Sequence, residues 1–513
     1  MNTSTNTGSY PPLTAIVQIT DTSSVAIIAG VSLLLVSFLA LRGTSDGYIV
    51  DLGGLPIRIA WTFFSRRFDF MAMNFKKTGG LPFKFRVLQH RVVAVGGPEA
   101  RKVFFNDPSL GFAEGYEILM GGAPRLEDIN IDVKSEGMGN VSDFVKRLNL
   151  LLKKERITET LPVFLDDTNR RMVDWGKEGT INPFKQVYDL VFQMTIRMAT
   201  CRELAENPAE IRKLADLYWD TERSATPTRL LLPWLPSPSK KLNKQATTGL
   251  YLLFLKYVET RRAAGADTMD PIDILVRNGD SDNTIVALIL GVTFAGVVNT
   301  GMNSCWALLF LGTHPEWRRR TVEELKALTA KYSNLEQSPA GEPFHRMLSK
   351  VPLEAWEDEL PTLDLVIRET IRLTINGSAL RRNLRKDVNF QGATVNKGDF
   401  VCYSVADTHL NPGIYPDPEQ FDPGRYEKGR EEDKSAPLAY LGWGVGRHPC
   451  AGMKVAKLEI KLILSMLLLG YEYNLVDGQG QSTNIIPKPD RNDIQQARPL
   501  GDPVYLKFKR VQD

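Results

Sequence analysis

Cysteine is scarce in this chain of 513 residues: there are four, and no two of them stand in a C-x-x-C pattern. Isolated cysteines do not make the paired frameworks of small secreted proteins or the clustered ligands of structural zinc sites. The sequence therefore excludes a disulfide scaffold and favours folding in a reducing compartment. For Cys201, Cys305 and Cys402 we expect small, buried apolar side chains.

A strong charge of either sign is lacking too. Lysine and arginine total 63 against 60 aspartates and glutamates, which leaves a formal net charge of +3. A nucleic-acid-binding protein of this length is expected to carry a basic domain, so we predict no nucleic-acid partner. Apolar residues make up 43% and charged residues 24%, which are ordinary values for a globular protein and exclude global disorder.

Long apolar runs are few, and the first is VAIIAGVSLLLVSFLAL at 25–41. As a helix it spans about 26 Å, at the short end of what a bilayer requires. A cleaved signal peptide is the alternative, but such a peptide starts with basic residues, and here no Lys or Arg precedes Arg42. We predict a flexible lumenal tail at 1–22, a transmembrane anchor at 23–41, a linker at 42–80 and a catalytic body at 81–513.

The flanks of this run predict its orientation. All the nearby basic residues follow it, which places the body in the cytosol by the positive-inside rule. The sequon Asn2-Thr3-Ser4 then faces the lumen and predicts a glycoprotein, whereas sequons at Asn140 and Asn376 stay unmodified. A second apolar run, 285–311, carries Asn299, Thr300, Asn303 and Ser304. Such polar groups are costly in lipid, so we predict a helix buried inside the body.

Hydrophobic periodicity predicts a mainly α-helical body with small β-sheets. Strand patterns occur at 82–88 and 90–97, and a helix is expected to start at Pro98 because proline suits the first helical turn. Residues 111–140 are glycine-rich and predict an irregular loop. The remaining predictions are helices from 141 to about 350 with a proline-rich break at 225–240, a helix at 354–373, strands at 388–395 and 399–405, a proline-rich meander at 411–423, a helix at 453–469 and a short β-rich tail.

The segment with the strongest chemical signal reads Trp443-Gly-Val-Gly-Arg-His-Pro-Cys450-Ala-Gly452. Its glycines let the backbone turn tightly and approach a flat ligand. A helix follows Cys450 directly, and a helix N-terminus favours a thiolate and supplies free amides that can donate to the sulfur. Two other interpretations are a nucleotide-binding loop, which would need a G-x-G-x-x-G order that is absent here, and an ordinary turn before a helix.

The segment resembles the haem-binding loop of the cytochrome P450 family, F-x-x-G-x-R-x-C-x-G. Trp443 stands in the place of the phenylalanine, Gly446 and Gly452 match, and Cys450 matches the axial ligand of the haem iron. His448 occupies the position where arginine is commoner, and the resemblance implies that it donates to a haem propionate.

Further patterns of that family follow in the right order. Glu369-Thr-Ile-Arg372 resembles its E-x-x-R, and Phe421-Asp-Pro-Gly-Arg425 resembles its F-x-P-x-R. The resemblance implies a structural triad of Glu369, Arg372 and Arg425. It also assigns a second propionate-binding role to Arg382, with Arg381 as the neighbouring alternative.

The resemblance implies a monooxygenase with haem b whose thiolate ligand favours O–O cleavage. The chain has no recognisable flavin or nicotinamide domain, so its implied partners are an NADPH-cytochrome P450 reductase, with cytochrome b5 as an accessory candidate, in the endoplasmic reticulum membrane. Lys454 and Lys457 are candidate docking residues, although solvated lysines are the simpler interpretation. The implied substrate is a lipophilic small molecule of the terpenoid, sterol or other secondary-metabolite type. The haem-binding loop and the anchor resemble those of fungal members of the family.

One helix departs from the family pattern [A/G]-G-x-[D/E]-T-[T/S]. The chain reads Ala295-Gly-Val-Val298-Asn299-Thr300, so valine replaces the acid and asparagine the first threonine. Valine cannot handle a proton, and asparagine forms hydrogen bonds without ionising. Three explanations remain open. In the first, Asn299 and Thr300 take part in a catalytic proton path with water or a substrate hydroxyl. In the second, the enzyme isomerises or dehydrates an oxygenated or peroxide substrate without a reductase. In the third, the haem serves binding alone.

Overall fold

The computed structural model describes residues 47–119, 124–132, 141–265, 267–333, 342–493 and 496–511. The tail, anchor and Asn2 sequon predicted above, and the sequon at Asn140, lie outside these residues.

Helices form most of the body, as the periodicity predicts. They are α1 (Pro56–Ser65), α2 (Arg67–Lys77), α3 (Pro98–Asn106), α4 (Phe112–Leu119), α5 (Val141–Leu151), α6 (Lys154–Val173), α7 (Pro183–Ala199), α8 (Arg202–Ala205), α9 (Pro208–Arg223), α10 (Pro227–Leu231), α11 (Pro238–Ala264), α12 (Pro271–Arg277), α13 (Asp282–Thr313), α14 (Pro315–Ser333), α15 (Phe344–Ser349), α16 (Leu353–Asp358), α17 (Pro361–Thr374), α18 (Ala406–His409) and α19 (Met453–Gly470).

The strands make small sheets at the edge of the helical body. They are β1 (Val50–Asp51), β2 (Phe83–Val87), β3 (His90–Val95), β4 (Leu110–Gly111), β5 (Glu178–Ile181), β6 (Ser378–Asn383), β7 (Val388–Phe390), β8 (Ala393–Val395), β9 (Phe400–Ser404), β10 (Tyr471–Val476) and β11 (Tyr505–Arg510). One sheet has the order β1-β2-β3-β9-β6-β4, a second has β10-β11-β5, and β7 pairs with β8. The fold class predicted for the body is confirmed in these residues.

The centre of the body is the long helix α13. Within the described residues it is the helix long and apolar enough to cross a membrane, yet 61% of its most apolar stretch is buried inside the protein. Its packing against α7 is close, since a Cβ at Gly301 would lie 2.5 Å from ring carbons of Tyr188. The prediction of an interior helix at 285–311 is therefore confirmed.

Residues 50–77 differ from the linker predicted at 42–80. They form β1, α1 and α2, and Phe63 and Phe70 join Phe83 and Phe85 of β2 in a buried aromatic cluster. These helices are short, and their stability comes from packing on the sheet rather than from a local signal. The part of the described chain that belongs to the body therefore begins well before residue 81.

Three other segments differ in detail from what the sequence predicts. The predicted irregular loop at 111–140 contains α4, where Gly115 lets the helix lie on β6: a Cβ there would be 2.5 Å from the Cα of Arg381. The stretch 388–395 is a hairpin of β7 and β8, because Gln391 and Gly392 both have positive φ. The helix predicted at 354–373 is broken before Pro361, which cannot continue a preceding helical ladder.

Candidate functional site

Cys450 differs from the other cysteines in its exposure: it is exposed, whereas Cys201, Cys305 and Cys402 are buried as predicted. Its own N–H donates to the carbonyl of Trp443 at 2.7 Å, which closes the loop before α19. Partial burial of the sulfur by the surrounding loop raises the pKa of the Cys450 thiol, and the backbone N–H of Gly452 lowers it. The loop thus presents a thiol outward and places a backbone donor at the sulfur.

Gly446 is required by the contact between this loop and the end of α3. It has a φ of 65°, and a Cβ there would lie 2.3 Å from the carbonyl oxygen of Phe105. The same carbonyl accepts the N–H of Arg447 at 3.1 Å. A larger residue at 446 would separate the loop from α3, so the role of Gly446 in the structure is to position the cysteine loop.

His448 lies beside α4. Its ring stacks on Phe112 with centroids 5.3 Å apart. Burial lowers the pKa of His448, and the positive charges of Arg381 and Arg447 lower it further. The Nδ1 or Nε2 of a neutral imidazole keeps one N–H donor for an acidic ligand.

The two neighbouring arginines of β6 point to opposite sides. Arg381 is buried and lies 4.9 Å from the centroid of Phe112, on the His448 side. Arg382 lies over Phe400, and its Nε is 3.4 Å from the carbonyl of Gly398. Adjacent residues of a strand face opposite sides of the sheet. This corrects the prediction for Arg382: Arg381, the alternative, is the arginine that faces the cysteine loop.

The surroundings of Arg381 test whether the site fits a haem. Its guanidinium donates to the carbonyl of Leu380 at 2.8 Å, and Tyr116 lies close to it, but no carboxylate pairs with it in the described part of the chain. A buried cation without an anion is costly. An external carboxylate between Arg381 and His448, with an exposed thiol nearby, matches the propionates and the iron of a haem. The residues present therefore fit a haem.

The helix α13 carries the predicted catalytic residues. Ala295 and Asn299, one turn apart, are exposed although most of the helix is buried, so they share a face that borders open space. Thr300 is buried, and Val298 is buried with its carbonyl accepting the Tyr188 hydroxyl at 3.3 Å. Of the two predicted catalytic side chains, Asn299 is the accessible one.

The predicted triad residues meet in one buried network. Glu369 accepts from Arg372 at 2.7 and 2.8 Å and from Arg425 at 3.0 Å, and all three side chains are at most 1% exposed. Arg372 also donates to the carbonyls of His409 and Pro418, both at 2.6 Å. The network ties α17 to the proline-rich meander that precedes the cysteine loop.

Sequence reasoning missed His409, which supports the same loop. Its Nε2 accepts the N–H of Leu441 at 2.9 Å, and its Nδ1 lies 3.1 Å from the carbonyl of Ile375. Burial lowers the pKa of His409 to about 3, with Arg372 adding to the shift. The neutral ring therefore joins α17 to the start of the loop. Its position just before the meander was the one available signal.

Comparison with known proteins agrees with this geometry. A family model described as cytochrome P450 matches residues 165–489. The cytochrome P450 monooxygenase AacuE of Aspergillus aculeatus is 30% identical over 463 residues, which cover 88% of this chain and 91% of that protein. The monooxygenase nsrP of Aspergillus novofumigatus is 31% identical over 418 residues, 79% of each chain. Retinoic acid bound cyanobacterial CYP120A1 has a similar fold, with a TM-score of 0.68 at 21% identity over 88% of this chain and 96% of that one.

Proposed function

This chain belongs to the cytochrome P450 family and is a haem-containing monooxygenase, and from that premise we propose that it inserts one oxygen atom of O₂ into a lipophilic small molecule, with electrons from a separate NADPH-dependent reductase. The observation that carries the proposal is the exposed Cys450 thiol in a loop that also presents His448 to the buried Arg381, a cation with no carboxylate partner among the described residues. The helix α13 adds an accessible face that carries Ala295 and Asn299.

Bound haem supplies the activation of dioxygen. The residues of this chain hold and tune it. Cys450 is the metal ligand, and the Gly452 N–H near its sulfur reduces the basicity of the thiolate. Arg381 and His448 bind the propionates. The backbone of Gly446 keeps the loop against α3.

On the substrate side, Asn299 takes the place that an ionisable group would fill. Its amide can donate and accept hydrogen bonds, so it can orient a water molecule or a substrate hydroxyl that carries the proton. The methyl group of Ala295 leaves room beside it. We propose that Asn299 organises the proton path, that Thr300 contributes from within the helix, and that the proton itself comes from water or substrate.

Electron transfer requires a surface near Cys450 where a redox partner can bind. Lys454, on the first turn of α19, is 77% exposed and pairs with Glu357 at 3.2 Å, and Arg447 in the loop is exposed, so two cationic side chains lie close to Cys450 in the chain. We propose that an acidic patch of an NADPH-cytochrome P450 reductase, or of cytochrome b5, binds here. Such a contact is steered by charge and weakens with salt.

A membrane contact is supported by large apolar side chains around α1 and on the turn that follows α10, a helix that packs against α1. Trp61 is 44% and Trp234 70% exposed, with Leu55, Ile57 and Leu235 nearby in sequence. Exposed tryptophans with aliphatic neighbours are typical of a bilayer interface. We propose a single-pass endoplasmic reticulum protein with a cytosolic body and a lipophilic substrate of the terpenoid, sterol or secondary-metabolite type.

The test is reconstitution of the full chain with a reductase, NADPH and a panel of terpenoids and sterols under isotopically labelled O₂. The proposal predicts products that are one labelled oxygen atom heavier and that require both NADPH and reductase. The variant Cys450→Ala should make none, and Asn299→Leu should consume NADPH with less product. Turnover of a peroxide substrate without NADPH or reductase would support an isomerase instead.

A further inference from the structure

Asn303 lies one turn after Asn299 on α13, and it is buried although it is polar. Side chains of a helix lean towards its N-terminus, so a residue can reach the turn four positions before it. The Nδ2 of Asn303 donates to the carbonyl of Asn299 at 2.7 Å. The helix ladder directs the N–H of Asn303 to the same carbonyl. The backbone at Asn299 is therefore held by two donors from the following turn.

Thr374, at the end of α17, holds the amide of Asn303 from outside α13. Its buried hydroxyl donates to Asn303 Oδ1 at 2.8 Å and lies equally close to the carbonyl of Thr370 in its own helix. A reversed amide would set its oxygen against the carbonyl oxygen of Asn299, and two acceptors repel. Oδ1 therefore faces Thr374 and takes its hydroxyl proton. The pair ties the turn that carries Asn299 to α17.

Other polar side chains of α13 bond within that helix. The Oγ of Ser304 donates to the carbonyl of Thr300 at 2.9 Å, and the Oγ1 of Thr293 donates to the carbonyl of Ile289 at 2.7 Å. Neither of these two contacts reaches a neighbouring helix. The contact at Asn303 differs from them because it fixes the position of α13 relative to α17.

The end of α17 also supports the loop that carries Cys450. The carbonyl of Ile375, the residue after this helix, lies 3.1 Å from the Nδ1 of His409. The Nε2 of His409 accepts the N–H of Leu441 at the start of the loop. The turn of Asn299 and the cysteine loop are thus both connected by hydrogen bonds to one end of α17.

We propose that Asn303 and Thr374 are positioning residues for Asn299: they hold its turn of α13 against α17 and so keep its accessible amide in one orientation. This inference rests on the proposed function, because it assigns a support to the residue that organises the proton path. Without the pair, Asn299 keeps its chemistry and loses its fixed direction. Proton delivery then becomes less efficient, while substrate binding is unchanged.

The first test needs neither reductase nor substrate. The infrared stretching band of CO bound to the reduced, haem-loaded full chain responds to hydrogen-bond donors beside the CO. Asn299→Leu should shift this band to higher frequency, and Thr374→Val, which keeps the shape and removes the hydroxyl, should shift it in the same direction. Thr374→Ser keeps the hydroxyl and should match wild type. Thr370→Val is the matched control, because its buried hydroxyl donates to Val366 within α17, and it should also match wild type.

A double variant separates positioning from folding. Thr374→Val leaves the Oδ1 of Asn303 buried without its donor, which destabilises the body. The variant Asn303→Leu, Thr374→Val replaces both polar groups by apolar ones and should recover stability in a denaturant titration. With a substrate found by the reconstitution above, both variants should form about fivefold less product per NADPH consumed, the factor expected for one lost buried hydrogen bond. Their KM for that substrate should equal that of wild type.

Three outcomes decide the inference. A CO band and a product yield per NADPH equal to wild type in both Thr374→Val and the double variant overturn it. An equal band shift in Thr370→Val overturns it as well, because any buried hydroxyl of α17 would then have the same effect. A band shift in Thr374→Val that Thr374→Ser and Thr370→Val lack supports it. Failure of wild type to oxygenate any substrate with NADPH would contradict the proposed function and leave the infrared comparison standing.

Discussion

Replacing Glu369 with glutamine should strongly destabilise the body while preserving side-chain shape. The Glu369 carboxylate accepts five hydrogen bonds: two from Arg372, and one each from Arg425, Tyr426 and the N–H of Asp422. Glutamine removes the charge and leaves the buried Arg372 without an anion. Breaking a buried ion pair on one side costs about 3–5 kcal/mol, a large part of the stability of a typical domain.

Thermal unfolding gives the clearest readout. With an unfolding entropy of roughly 2.1 cal/mol/K per residue, a body of this size loses about 1 °C in midpoint per kcal/mol. Glu369→Gln should therefore melt about 3–5 °C below wild type by circular dichroism. Glu316→Gln, which removes an exposed pair with Arg319, should leave the midpoint unchanged. The double variant Glu369→Met, Arg372→Met should recover part of the loss. A midpoint for Glu369→Gln within 1 °C of wild type would refute the reasoning.

Three other predictions follow from the described contacts. Arg381→Leu should lower the haem-to-protein ratio after purification and Arg382→Leu should not, because only Arg381 faces the cysteine loop; equal ratios would contradict the assignment. Gly301→Leu should lower stability by about 1–3 kcal/mol through collision with Tyr188, while Gly377→Ala, which has open space, should be neutral in the same denaturant titration. For His409 the folded pKa of about 3 lies below the unfolded value near 6.5, so its stabilisation is complete above about pH 6.5 and is lost by about 1.4 kcal/mol per unit as the pH falls towards 3. His409→Gln should show a shallower loss of stability over that window, and an unchanged slope would exclude His409 as its cause.

The cysteine loop and the triad pair Glu369 and Arg372 could be predicted from the sequence because they resemble family motifs that are short and local. In the first, glycines and a cysteine stand at fixed spacing before a helix; in the second, two side chains three residues apart share a helix face. Neither pattern depends on contacts with distant parts of the chain. For the same reason the interior helix at 285–311 could be predicted, since its polar residues exclude lipid.

Two kinds of feature could not be predicted: those that depend on which side of a sheet a side chain faces, and those that depend on contacts between distant segments. Arg381 and Arg382 differ by one residue, and a shift of one position in a strand reverses which side chain faces inward. The short helices α1 and α2 form because aromatic side chains pack on β2, for which the local sequence has no signal. His409 and Leu441 approach each other only in the folded chain, so their contact has no local pattern in the sequence.

The central claim is that the Cys450 thiolate holds the iron of a bound haem. Its most direct test is the CO difference spectrum of the reduced, haem-loaded full chain, compared with Cys450→Ala and with Cys201→Ala, which changes a buried cysteine just before α8. The account predicts a thiolate-type band in wild type and Cys201→Ala and none in Cys450→Ala. A thiolate-type band that persists in Cys450→Ala would contradict it.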